Sequence, residues 1–316
     1  EFASTLKSLL DNYSFDAVQV EGLEMARYIS TIIAAAPRTP IVFDDHNAEY
    51  LLQRRAASVD VRRIACWPKA LYSVIQWLKL KRYERLVCQS SKAVLAVSNL
   101  DAKALRELGM AIPITVVPNC IDVEYYRRIP CTTRDPATLL FTGTMDYRPN
   151  VDAVQWFVSE VLPRIIACKP DVRFQIVGRS PTDQVMELAL RHPAVEVVGA
   201  VDDIRPYFYR STLCVVPIRM AGGARLKILE ALAAGLPVVS TSMGAEGIDG
   251  VTGEGVLLAD TAEGFAASVL RLMDDKELHR KMQLAGLKIV EQKYDWKKVA
   301  PQLLGVYDAI REKVTD

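Results

Sequence analysis

The chain has 316 residues, of which 50% are hydrophobic and 24% are charged, and its formal net charge is +1. This composition is typical of a globular protein with an ample core, and the balanced charge gives no indication of nucleic-acid binding. No run of residues is long and apolar enough to span a bilayer. The six cysteines include no C-x-x-C pair, so we expect reduced, buried thiols in a cytoplasmic protein.

The first part of the chain predicts alternating strands and helices. The predicted elements are strand–turn–helix units at 15–26, 40–55 and 93–109, a long helix from about Trp67 to Val87, a strand at 114–122 and a linker at 127–137. Ser98, Asn99 and Asp101 are candidate helix caps in the third unit. The linker is expected because that segment has two prolines and no hydrophobic periodicity.

The second part of the chain repeats this alternation more clearly. The predicted strands are TLLFTGTM, VRFQIVG, VEVVGAV, LCVVPI and PVVST, with helices at about 150–167, 182–191, 203–210 and 225–234 and a helical tail at 261–312. Near-continuous runs of Val, Ile and Leu favour strands buried on both faces, and helices between strands favour parallel βαβ units. We therefore predict two doubly wound α/β domains, with ligands beyond the carboxyl ends of the strands.

The segment MAGGARLKILEALAAGLPVVST, residues 220–241, combines two glycines with two cations at a helix start. Backbone N–H groups at a helix start attract anions, and cations are unfavourable there unless an anion is bound. Arg225 and Lys227 therefore indicate a phosphate or diphosphate site, and Glu230 is a candidate to accept hydrogen bonds from ribose hydroxyls. The alternatives are an exposed pair between Lys227 and Glu230, or a simply solvated Glu230.

Several segments together resemble the GT-B glycosyltransferases of family 4, the group 1 type. The segments are KILEALAAGLPVVSTSMGAEGI, PNCID, FTGTMDYRPNVDAV and GAVDDIRPYFYRSTLCVVPI. The resemblance implies two Rossmann-like domains that face each other across a cleft, and retaining, metal-independent transfer from a nucleotide-diphosphate sugar. In agreement, the sequence contains no Asp-x-Asp of the metal-dependent glycosyltransferases. The expected domains are 1–130 on the acceptor side, 131–297 for the donor, and a C-terminal helix at 298–316 that packs back toward the first domain.

The resemblance also implies which residues bind the donor. Its diphosphate is expected on the helix start Gly222–Lys227, its ribose on Glu230, the second glutamate of the family's E-x7-E motif, and its base near Gly199–Asp203. The nucleotide-sugar residues expected from it are Gly143, Thr144, Arg148, Gly199, Val201, Gly222, Gly223, Ala224, Leu226 and Glu230, and the catalytic candidates are Arg225, Lys227, His46 and Glu21.

Three departures from the family pattern matter. The first glutamate of E-x7-E falls on Gly222, and Thr144 stands where relatives carry an arginine. Arg225 and Lys227, with Arg148 as a further cation, are expected to supply the charge that the substitution at 144 removes. The first strand resembles a middle strand of the family, which implies that the N-terminal domain is incomplete at its start.

Two residues of the first domain are candidates for acceptor chemistry. His46 ends a predicted strand, where it is placed to hydrogen-bond a sugar or acceptor hydroxyl, the alternative being a capping or packing histidine. Glu21 ends the preceding strand, where many relatives carry a histidine, and the alternative is a carboxylate at a helix start.

The region at 54–92 is strongly basic. Between Leu51 and Lys92 there are ten lysines and arginines against two carboxylates, with tyrosines and tryptophans interleaved. Such a region suggests an anionic membrane surface with a lipid-linked or polysaccharide acceptor, and an ordinary solvated basic face is the alternative. Nucleic acid is not expected because no nucleic-acid motif accompanies the charge.

The activity predicted on these grounds is glycosyl transfer to an acceptor hydroxyl by a cytoplasmic protein at the inner face of the cell membrane. Two other functions remain open: a non-catalytic nucleotide-sugar-binding subunit, and a GT-B nucleotide-sugar epimerase. A dehydrogenase is disfavoured because no predicted strand leads into G-x-G-x-x-G.

Overall fold

The structure is a computed structural model, and it describes residues 1–54, 67–127, 135, 137–220 and 226–315. The described residues divide into two compact units. The first comprises Glu1–Asn119 and the C-terminal stretch from Val299, and the second comprises the described residues between Cys120 and Lys298.

The described part of the first unit is built on a parallel sheet in the order β1-β2-β3-β4. These strands are β1 (Val18–Glu21), β2 (Ile41–Asp45), β3 (Ala93–Ala96) and β4 (Ile114–Val116). The helices of this unit include Phe2–Asn12, Gly22–Ala26, Ile29–Ala35, Trp67–Gln89, Asn99–Arg106 and most of Trp296–Thr315. Adjacent strand residues point to opposite faces, so Phe43 packs with one cluster of helices while Val42 packs against Val306 and Ile310 of the C-terminal helix. Both faces of this sheet are therefore covered.

The described part of the second unit is built on a larger parallel sheet in the order β10-β9-β8-β5-β6-β7. Its strands are, from β5 to β10, Thr138–Thr142, Arg173–Val177, Val195–Gly199, Leu213–Val216, Val238–Ser240 and Val256–Leu258. Its helical segments include Val123–Arg127, Arg148–Trp156, Leu162–Cys168, Asp183–Arg191, Arg205–Arg210, Leu226–Ala233, Ala262–Asp274 and Lys276–Ile289. The central strands β5 and β8 are buried along their whole length, which explains why they are continuous apolar runs in the sequence.

The predicted class of two doubly wound parallel α/β domains is confirmed, and most predicted elements are present. The helix predicted at 150–167 is interrupted by a π-helical turn at Phe157–Val161, just before Pro163, whose ring nitrogen has no hydrogen to donate to the helix ladder. The short strand Val256–Leu258 and the helix Phe2–Asn12 were not predicted. The predicted linker at 127–137 lies largely outside the described residues.

Cysteine burial differs in part from the prediction. Cys88 and Cys214 are buried free thiols in apolar surroundings, as expected. Cys120 and Cys168 are exposed free thiols, so the prediction of burial was wrong for these two. Among the described helices, none has the length and apolar character needed to cross a membrane.

Candidate functional site

Three glycines follow or end three neighbouring strands at the carboxyl edge of the second sheet. Gly143, Gly178 and Gly199 have φ values of 149°, 155° and 83°, in the region that favours glycine. A Cβ on Gly178 would lie 1.7 Å from the Gly143 carbonyl oxygen, so the two backbones touch where side chains would normally stand. Gly178 is therefore packed against the Gly143 backbone, whereas a Cβ on Gly199 would meet open space, so the room for a ligand lies beside Gly199.

Lys227 reaches this edge from the helix Leu226–Ala233. Its Nζ donates a hydrogen bond of 2.9 Å to Asn150 Oδ1 and lies 4.2 Å from the centre of the Phe141 ring. Asn150 in turn donates from Nδ2 to the Thr144 carbonyl at 2.8 Å. A Cβ on Gly143 would lie 2.9 Å from Nζ, so the ammonium group sits directly beside the loop that follows β5.

Glu230 lies one helical turn beyond Lys227 and is held by a tyrosine. Tyr126, buried on the helix Val123–Arg127, donates its hydroxyl to Glu230 Oε1 at 2.9 Å. Burial raises the pKa of Glu230, while the Tyr126 hydrogen bond and the Lys227 charge both lower it. Glu230 is half-buried and accepts from Tyr126, so it is not simply solvated, and Lys227 is also half-buried, so the two residues do not form an exposed pair.

Asp203, Arg205 and Tyr125 form a group of polar and aromatic side chains just after β7. Arg205 donates to both carboxylate oxygens of Asp203 at 2.7–3.0 Å, and its guanidinium carbon is 3.9 Å from the centre of the Tyr125 ring. The hydrogen bonds from Arg205 hold the pKa of Asp203 below its usual range. Tyr125 and Tyr126 are neighbours on the helix Val123–Arg127, so this one short helix contacts both Arg205 and Glu230.

Some of the remaining residues predicted to bind the donor lie in the described part of the chain and others do not. Thr144 and Val201 are half-buried, and Leu226 is exposed at the first position of its helix. Arg148 is exposed and lines a cavity of about 530 Å³ with Asp146, Asp152 and Asp183. Gly222, Gly223, Ala224 and Arg225 lie outside the described residues, so the predicted diphosphate contacts of this loop stay predictions.

In the first unit, Glu21 and His46 occupy the carboxyl edge of the sheet. Glu21 is paired in register with Asp44, and both Glu21 and His46 are exposed. Burial raises the pKa of Asp44, the His46 charge lowers it and the Glu21 charge raises it, which places the three groups within electrostatic reach. A Cβ on Gly22 would lie 3.9 Å from His46 Nδ1. Over the described part of the chain, no group of three His, Cys, Asp or Glu side chains has the spacing of a metal site.

Sequence reasoning missed the residues that position the predicted ones. Asn150 and Tyr126 lie 77 and 104 positions away from the side chains that they bind. Asn150 was part of a quoted segment, FTGTMDYRPNVDAV, but no local pattern assigns it to Lys227. Only the burial of a polar asparagine at 6% exposure distinguishes it, and burial of this kind is visible only once the fold is known.

Solved structures with the same fold define the class of protein. Over 98% of this chain, the structure is similar to sucrose-phosphate synthase from Thermosynechococcus elongatus, with a TM-score of 0.75, 17% identity and 77% of that chain covered. It is also similar to HepE from Anabaena, solved in complex with UDP and glucose, with a TM-score of 0.71 and 14% identity over 97% of this chain and 80% of that one. At these identities the likeness shows the fold alone, which is the GT-B fold of glycosyltransferases.

Family models then identify the chain more closely. The model described as Glycosyltransferase Family 4 matches residues 1–125, and the model described as Glycosyl transferases group 1 matches residues 136–275. Because both halves match, the chain belongs to the family 4 glycosyltransferases of group 1 type, as the sequence motifs predicted.

The names of two curated relatives refer to different activities. Phosphatidyl-myo-inositol mannosyltransferase of Mycolicibacterium smegmatis is 28% identical over 249 residues, which are 75% of this chain and 61% of that protein. Glycogen synthase of Mycobacterium tuberculosis is 29% identical over 256 residues, which are 77% of this chain and 58% of that protein. The chain thus spans about three fifths of the length of these relatives.

Proposed function

We propose that this protein transfers a sugar, with retention of configuration, from a nucleotide-diphosphate sugar to an acceptor hydroxyl. The observation that carries the proposal is the placement of Lys227 beside the loop after β5, at the carboxyl edge of the second sheet, with Glu230 one helical turn further along. One offers an ammonium group beside the loop after β5, and the other offers a carboxylate whose second oxygen is suited to a ribose hydroxyl. Structures with the same fold were solved with UDP, which supports a nucleotide donor.

The Lys227 ammonium group suits the charge that develops during transfer. When the bond from the anomeric carbon to the diphosphate oxygen breaks, the electron pair stays on that oxygen, and a positioned cation stabilises it. The acceptor oxygen forms the new bond to the anomeric carbon and gives up its proton. Asn150 and the Phe141 ring orient Nζ in advance, so little reorganisation is needed as charge develops.

The acceptor is proposed to bind at the carboxyl edge of the first sheet. Glu21 and His46 are exposed there and within electrostatic reach of Asp44, and they offer a hydrogen-bond acceptor and an imidazole to a hydroxyl group. We propose that the reaction is metal-independent, since the Lys227 ammonium supplies a cation at the donor loop. Turnover that is unchanged by EDTA is the expected result, and turnover abolished by EDTA and restored by Mg²⁺ or Mn²⁺ would contradict it.

Donor binding and turnover test the central proposal. Thermal shifts with UDP-, GDP- and ADP-sugars identify the donor, and the anomeric configuration of the product is then read by NMR.

Lys227→Ala is expected to lower kcat by about 10²–10³, the usual cost of losing one preorganised donor. The matched control is Lys281→Ala, an exposed lysine on the helix Lys276–Ile289 of the same unit. Equal kcat and donor affinity in the two folded variants would reject the role of Lys227. Donor binding without acceptor-dependent nucleotide release would favour a non-catalytic subunit.

We further propose that the acceptor is met at an anionic membrane surface, through one face of the helix Trp67–Gln89. This basic face comprises Tyr72, Ile75, Leu78, Lys79, Arg82 and Leu86, which point away from buried Ser73, Glu84 and Val87. Its four large apolar side chains are 42–63% exposed, and two cations lie among them. Apolar side chains flanked by cations are typical of helices that lie in an anionic membrane interface. Residues 55–66 of the predicted basic region lie outside the described residues.

Vesicle binding tests this surface. Partitioning is expected onto vesicles with anionic phospholipid and not onto purely zwitterionic ones, and Lys79→Glu with Arg82→Glu should weaken it by more than about fivefold per cation. Lys281→Glu is the control for a charge change elsewhere. Equal partitioning of the native protein onto both vesicle types would remove the membrane proposal and leave the donor chemistry unaffected.

A further inference from the structure

Two buried carboxyl groups lie directly beneath the turn that carries His46. Asp45 ends β2 at 1% exposure, and Glu84, in the C-terminal third of the helix Trp67–Gln89, is fully buried. The two carboxyl groups lie within hydrogen-bonding reach of each other. Two ionised carboxylates cannot share a hydrogen bond, so this contact requires a proton on one of them.

Glu84 also binds the backbone on the far side of the turn. Its Oε1 accepts the N–H of Glu49 and its Oε2 accepts the N–H of Tyr50, each at 2.9 Å. Asp101 Oδ1 accepts the N–H of Ala48 at 3.1 Å. These three N–H groups are successive donors at the start of a helical turn, so two carboxylates fix the exit of the segment that contains His46.

The hydrogen bonds decide which carboxyl group is ionised. Both Glu84 oxygens accept backbone N–H groups, which is the arrangement of a carboxylate. Asp45 Oδ2 is buried and has no hydrogen-bond partner among the described residues. We propose that Asp45 is a protonated acid whose hydroxyl donates to the Glu84 carboxylate, and that Glu84 is thereby a positioning residue for the turn Asp45–Tyr50 and for His46.

The surroundings of the pair agree with this assignment. Burial raises the pKa of Asp45 well above its usual range, and the neighbouring carboxyl groups Glu84, Glu49 and Asp101 raise it further. Burial also raises the pKa of Glu84, but hydrogen bonds from Asp45, Tyr50 and Glu49 oppose that effect. The Cys88 thiol, one turn along the same helix, has its pKa raised by burial and by both acids, so it stays neutral.

The stability of Asp45→Asn against pH tests the proton directly. The asparagine amide donates to Glu84 as the protonated acid does, so we expect Asp45→Asn to fold. Because the Asp45 pKa is raised in the folded state, the native protein loses stability as pH rises above the unfolded pKa, by up to about tenfold in the folding equilibrium per pH unit. Asp45→Asn lacks this loss, so the ratio of its folding equilibrium constant to that of the native protein should increase with pH. A ratio that is constant from pH 5 to 8 would overturn the proposal.

Infrared spectroscopy gives an independent readout, since the carbonyl band of a protonated carboxylic acid should be present near neutral pH and absent in Asp45→Asn. A band that persists unchanged in the variant would also overturn the proposal.

The positioning role rests on the proposed function of His46 and is tested separately from it. Glu84→Gln has one acceptor oxygen for two N–H groups, so we expect it to reduce kcat with little change in the donor KM, whereas Asp45→Asn keeps near-native kcat. Native kcat in folded Glu84→Gln would overturn the positioning role. His46→Ala with native kcat would reject the role proposed for His46, yet the stability and infrared results would still decide the protonation of Asp45. If Glu84→Gln does not fold, the Asp45→Asn measurements alone decide that question.

Discussion

Replacing Tyr126 by phenylalanine removes a single oxygen atom from the environment of Glu230. The hydroxyl donates to Glu230 Oε1 at 2.9 Å, and the ring packs edge-on against Phe208 with centroids 6.1 Å apart. Phenylalanine keeps this packing, so the loss is confined to the hydrogen bond. Hydrogen bonds to charged groups contribute about 1.5–3 kcal/mol. Because Glu230 is only half-buried, we expect the lower end of that range, about a tenfold weaker donor affinity.

The same variant should change the pH dependence of donor binding. Burial already raises the pKa of Glu230, and the Tyr126 hydrogen bond opposes that rise. Without the hydroxyl the pKa rises further, so Glu230 becomes protonated at a higher pH. The acid limb of kcat/KM is therefore expected to move to higher pH in Tyr126→Phe, while the activity above that limb recovers in part.

Calorimetric titration of the donor and kcat/KM profiles over pH 5–9 measure both effects. Tyr125→Phe is the matched control, since its ring still stacks on Arg205 and it does not bind Glu230. Combining Tyr126→Phe with Glu230→Gln gives a double-mutant cycle, in which a coupling above about 0.5 kcal/mol is expected for residues in contact. Native affinity and an unmoved acid limb in folded Tyr126→Phe would refute the reasoning.

Three further predictions concern single substitutions at Gly143, Asn150 and Ser98. Gly143→Ala should destabilise the fold by about 1–3 kcal/mol in chemical denaturation, since its φ is 149° and the new Cβ meets neighbouring side chains within 3 Å. The matched control is Gly305→Ala, at an exposed position of the C-terminal helix with open space around the new Cβ, which should be neutral or stabilising by up to about 1 kcal/mol. Asn150→Ala should lower kcat/KM by about 10- to 100-fold, because Lys227 Nζ loses its hydrogen bond to Asn150; an undiminished kcat/KM would exclude this role. Ser98→Ala should cost about 1 kcal/mol of unfolding free energy, because Ser98 caps the helix Asn99–Arg106, and a cost near zero would show that another group caps it.

The sheets were predictable because their signal is local. Runs such as TLLFT and LCVV contain no polar face, which is the pattern of strands covered by helices on both sides. The Ser98 cap was predictable for the same reason, since Ser98 Oγ accepts the N–H of Asp101, only three residues further along the chain. By contrast, the three-residue strand Val256–Leu258 is too short to show a period, and its pairing with β9 depends on the finished sheet.

Lys227 and Glu230 were predicted from the sequence as site residues, whereas the side chains that hold them were not. Lys227 was predicted because a cation near a helix start is unfavourable unless an anion is bound, and Glu230 because it stands at the second glutamate of the family's E-x7-E motif. Tyr126 and Asn150 carry no such local signal, because buried tyrosines and asparagines occur throughout protein cores. Their roles depend on contacts between distant segments, and such contacts are fixed by packing of the whole unit.

The approach of Lys227 to Gly143 ties two distant positions of the chain into one constraint. Any side chain at position 143 would clash with the ammonium group of Lys227, which now fills that space. A side chain can therefore be added at position 143 only if the residue at 227 is shortened in the same variant. The bare backbone at 143 is thus the condition under which the later helix is able to deliver its charge.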